Sequence, residues 1–136
     1  MIQRIQTVWY FLALCAAVAT LFVPAWISAE SEMMSVMVFL PFTIAIGILS
    51  AAILTTIISF KKRLSQLKLG SFTIIIAFLL LVAIWLPVFT TLIPNINNVS
   101  PTIGSYLPLA IILFTALGNF FVKKDEKLVK SMDRLR

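Results

Sequence analysis

Four stretches of roughly 20 apolar residues, none holding a charged side chain, govern what this chain can fold into. They cover residues 7–29, 36–60, 72–93 and 106–122. An α-helix of about 20 residues crosses about 30 Å of hydrocarbon, where no water can take up an unpaired backbone group. A helix pairs its backbone internally, so each stretch is expected to be a membrane-spanning helix. A hydrophobic content of 61% and a mean hydropathy of +1.08 lie outside the soluble range and agree with this. The expected fold class is an all-α membrane protein: one four-transmembrane-helix bundle occupying residues 1–136. The fourth stretch is short and draws on its flanking residues or a thin local bilayer.

The opening segment carries Arg4 before an apolar run, with Ile27, Ser28 and Ala29 at a tolerable cleavage position. The run exceeds the roughly 7–15 residues of a secretory signal, so it is read as an uncleaved first helix.

Charge sets the direction. Arg4 precedes the first stretch, Lys61, Lys62, Arg63 and Lys68 separate the second from the third, and six basic residues follow the fourth. All eleven fall on one side, and basic residues stay on the side of synthesis. The expectation is N-in/C-in topology in a bacterial inner membrane, with Glu30, Glu32 and the uncharged NINNVSPTIGS loop outside. Trp9, Tyr10 and Phe60 suit the inner interface, and Trp26, Trp85 and Tyr106 the outer one. The six prolines map to the outer half or beyond, where Pro41 and Pro87 are each expected to free a backbone carbonyl. A neighbouring helix, water or a hydroxyl such as Thr90 or Thr91 would then satisfy it.

Little in the sequence speaks for catalysis. The spans hold no ionisable side chain of the kind that pumps and membrane enzymes retain. Without histidine, with the single Cys15 inside an apolar run and with no Gly-rich loop, no catalytic, metal or cofactor site is proposed. The net charge of +6 is assigned to membrane orientation, which disfavours nucleic acid as a partner. Small residues four apart, Gly47 with Ala51 and Ala13 with Ala17, are candidates for close helix packing, either inside one bundle or between copies.

The tail, residues 123–136, is amphipathic when wound at 100° per residue. Phe121, Leu128, Met132 and Leu135 share one stripe, and Lys123, Lys127, Lys130 and Arg134 the opposite one. Glu126 and Lys130 form a favourably oriented i,i+4 pair. A cytoplasmic helical extension is expected, acting either as a topology anchor or as a docking element. With Lys61, Lys62 and Arg63 of the inner loop, its basic stripe makes a positive face suited to anionic lipid or a protein partner.

The start MIQRIQT, the inner loop FKKRLSQLKLG and the ending KKDEKLVKSMDRLR together resemble the domain of unknown function 4293 family, small four-helix membrane proteins of Bacteroidota. Asn119 matches an asparagine before the family's lysine pair, whereas Phe120 departs from an expected basic residue, so no anion contact is assigned there. The resemblance implies the same topology and directs interest to the termini, but it brings no activity or cofactor. The expected function is that of a non-enzymatic accessory or assembly subunit of a larger membrane complex. The alternative is an oligomeric small-solute transporter or channel.

Overall fold

The computed structural model describes residues 2–27, 33–36, 40–89 and 100–133. Four helices dominate: α1 (Ile2–Phe22), α2 (Leu40–Ile58), α3 (Arg63–Phe89) and α4 (Leu107–Asp133). Each is long and apolar enough to cross a bilayer, which makes the chain a multi-pass membrane protein. Several isolated hydroxyls in the spans are met within their own helices. Thr20 donates to the Ala16 carbonyl, Ser50 to Ile46, Thr56 to Ala52 and Thr73 to Leu69, all at 2.7–2.9 Å.

The helices close into a ring in which α1 and α3 each touch both α2 and α4, and the α1–α4 pairing is the most extensive. Tyr10, Ala13, Ala17, Ile46, Leu49, Ile53, Ala77, Ile84, Ile111 and Val122 fill the interior without exposure. Only 22–39% of each span's most apolar window is buried, so most of its apolar surface is left for lipid rather than for the core.

The helix boundaries depart from the expected stretches. The first stretch was expected to run to residue 29, but α1 ends at Phe22: Pro24 lacks the N–H that would continue the ladder and restricts Val23 before it. The chain instead enters a strand, β1 (Pro24–Ile27), which pairs antiparallel with β2 (Met33–Ser35) and β3 (Ser100–Pro101) in the order β2-β1-β3. This small sheet qualifies the all-α expectation. Trp26 faces Met34 on one side and Pro101 on the other, and Thr102 donates its backbone N–H to the Ala25 carbonyl at 3.0 Å. Two connections that would otherwise carry unpaired backbone at the membrane edge pair with each other.

The prolines settle where a missing donor costs least. Pro24 opens β1, Pro101 lies on an edge strand, and Pro41 and Pro108 occupy first turns of α2 and α4. The residue four before Pro41, Met37, lies outside the described residues. Pro87, near the end of α3, removes the helical donor to Ala83. One residue on, the Trp26 indole donates to the Ile84 carbonyl at 2.9 Å. That bond is to a different carbonyl from the one Pro87 frees; Thr90 and Thr91, the hydroxyls expected to serve the freed one, lie outside the described residues. Trp26 is a buried peg, edge-on to Phe42 with centroids 5.8 Å apart. Trp85 and Tyr106 do meet as an edge-to-face pair at 5.3 Å, and the Trp85 indole donates to the Ser105 carbonyl.

Candidate functional site at the basic end of the bundle

At the end opposite the sheet, a polar layer joins three helices. The Tyr10 hydroxyl donates to Asn119 Oδ1 at 2.7 Å, linking α1 to α4 inside the core. Two glycines admit this pair. A methyl group at Gly118 would lie 2.9 Å from the Tyr10 ring, and one at Gly70 would overlap the Asn119 amide. One turn out from Tyr10, Gln6 donates its amide to the Phe121 carbonyl at 3.3 Å. Gln66 and Thr115 are buried too, and Gln66 Oε1 and Thr115 Oγ1 lack a hydrogen-bond partner among the described residues. Trp9 supports the layer from the side, stacked on Phe121 at 6.3 Å.

Sequence reasoning did not assemble this layer. Neither tyrosine nor asparagine is ionisable at neutral pH, and 109 residues separate them. A usable signal was present: Gln6 and Tyr10 on α1, Gln66, Gly70 and Thr73 on α3, and Thr115 and Asn119 on α4 recur at three- and four-residue spacing. Such spacing places each set on one helix face. The layer can fix the relative height and rotation of α1 and α4, because sliding either strands a polar group in an apolar core, and Gly70 sets α3 against them through its close approach to Asn119.

Just outside this layer, Arg63 of α3 reaches Asp125 of α4 with Nη2 to Oδ2 at 3.2 Å, both side chains largely shielded. The contact is Coulombic rather than directional, since Asp125 Oδ2 has no hydrogen-bond partner. The expected Lys130–Glu126 pair forms at 2.8 Å, with the lysine well exposed. Between the α2–α3 turn and α4 an open groove of about 530 Å³ is lined by Lys62, Arg63, Leu64, Ser65, Glu126, Val129 and Lys130.

The structure thus gathers three of the expected contact residues, Lys62, Arg63 and Lys130, around one groove. Lys123 and Lys127 are exposed on α4 and do not line it. The side chain of Lys61 and all of Arg134 lie outside the described residues. The small-residue pairs also divide. Ala13 and Ala17 are buried within the bundle, whereas Gly47 and Ala51 face outward and a Cβ at Gly47 would meet nothing within 4 Å.

The model of the family described as Domain of unknown function (DUF4293) matches residues 2–135, covering all four helices, the polar layer and the groove. The chain belongs to the DUF4293 family. No curated protein and no solved structure matches it.

Proposed function

We propose that this DUF4293 member is a non-enzymatic accessory or assembly subunit of a larger bacterial inner-membrane complex, with both termini in the cytoplasm. It contacts a partner or anionic lipid through its basic end. The reading is carried by one observation: Lys62, Lys68, Lys123, Lys124, Lys127 and Lys130 are all exposed at the end where α1 begins and α2 turns into α3. Positive side chains held back from translocation mark that end as cytoplasmic. Among the described residues only Lys130 of these cations is in an ion pair, so the others stay available for contact. The polar layer beneath suits a subunit whose shape must be reproducible before docking.

The test is a mild-detergent pull-down of the full chain at low and high salt, beside a Lys123→Glu/Lys127→Glu variant. Deleting residues 125–136 is a poorer probe, because it also removes Asp125 from Arg63 and Glu126 from the groove. A stoichiometric partner at low salt that the variant fails to retain supports the subunit reading. Arrival alone or as a symmetric oligomer in both salts overturns it in favour of a transporter or channel.

A further inference from the structure

Among the described residues, the groove between the α2–α3 turn and α4 holds one more cation than carboxylates. Three cations, Lys62, Arg63 and Lys130, meet two carboxylates, Asp125 and Glu126, and each carboxylate already has its cation. Lys62 is exposed and has no carboxylate within ion-pair distance among the described residues. It also stands next to the first residue of α3, the end where the helix dipole disfavours a cation. An anion bound here would gain a charge-assisted contact with Lys62.

The surroundings decide what kind of anion. Leu64 lines the groove and begins a stripe down the outer face of α3, continued at helical spacing by Phe72, Ile75 and Leu79, each more than half exposed. Lys68, exposed as well, falls on the same stripe near its top. A ligand that satisfies both the cationic groove and the apolar stripe has a charged head and oily chains. A free phosphate would leave the stripe unused.

We propose that this groove binds an anionic phospholipid, with Lys62 and Lys130 on its phosphodiester, the Ser65 hydroxyl donating to a phosphate oxygen, and the acyl chains along Leu64, Phe72 and Ile75. The exposed Lys130 ammonium has three donors and bridges Glu126 and the phosphate, so the shielded Glu126 carboxylate keeps its cation. The inference rests on the proposed reading of the basic end as a contact surface and assigns a ligand to one part of it. Lys123 and Lys127, outside the groove, are left for the protein partner.

Native mass spectrometry of the full-length protein in a mild nonionic detergent, challenged with equimolar phosphatidylglycerol and phosphatidylcholine, reads this out. The wild type should retain one phosphatidylglycerol with a preference on the order of tenfold, from two lysines near the phosphate. Lys62→Gln/Lys130→Gln should bring the preference close to unity, whereas Lys62→Arg/Lys130→Arg and Lys123→Gln/Lys127→Gln should keep it. No preference in the wild type, or an equal loss in the Lys123→Gln/Lys127→Gln variant, overturns a defined site. The same variants in a pull-down from native membranes separate the two readings. If the wild type retains phosphatidylglycerol but brings no partner, the lipid site stands and the subunit reading falls. If Lys62→Gln/Lys130→Gln keeps its lipid preference and loses a co-purifying chain, the groove is a protein contact and the lipid site falls.

Discussion

Tyr10 and Asn119, 109 residues apart, meet in a 2.7 Å hydrogen bond that ties the first helix to the last in the core of the bundle. A bond across two spans is strengthened by the absence of water, but an unfolded chain in lipid also finds partners, which keeps the net value modest. Tyr10→Phe and Asn119→Leu, combined in a double-mutant cycle, should show a coupling of about 0.6–1.7 kcal/mol. Reversible unfolding in mixed micelles provides the measurement. A coupling indistinguishable from zero would mean that the two side chains are neighbours without being partners.

Gly70 is the counterpart of that bond, since its bare Cα leaves the room Asn119 occupies. Gly70→Ala should destabilise by about 1–3 kcal/mol through overpacking. Trimming the obstacle in Gly70→Ala/Asn119→Ala should recover part of the loss, so that the two changes are not additive. If the double variant shows the full sum of the single effects, the clash lies elsewhere.

Trp26→Phe keeps most of the ring that fills the space beside Phe42 and removes the donor to the Ile84 carbonyl. The expected cost is about 0.5–1.5 kcal/mol, that of one hydrogen bond, since the Ile84 carbonyl keeps its place in the α3 ladder. Hydrogen exchange should rise locally in the last turns of α3, beside Pro87, rather than throughout the bundle.

Arg63 and Asp125 should behave asymmetrically. Removing either alone leaves the other charge shielded without its partner, whereas exchanging them in Arg63→Asp/Asp125→Arg preserves the pair. Each single alanine variant is expected to lower thermal stability in detergent, and the exchange to restore much of it. Equal stability of the single alanine variants and wild type would show that the pair contributes nothing.

The sequence alone determined that four helices cross a bilayer, because long uncharged runs have no other way to satisfy their backbone in lipid. It also determined the segregation of positive residues, which follows from their order along the chain, and the Glu126–Lys130 pair, which helix geometry dictates locally. Tertiary structure decided the rest. Which small residues pack inward, as Ala13 and Ala17 do while Gly47 does not, depends on rotation of each helix about its axis, and lipid is nearly as apolar as the core. The strand formed after Phe22 was hidden because its pairing partners lie in other connections. The meeting of Tyr10 with Asn119, and of Lys62 with Lys130 around one groove, arises only when segments distant in sequence are brought to the same level of the bundle.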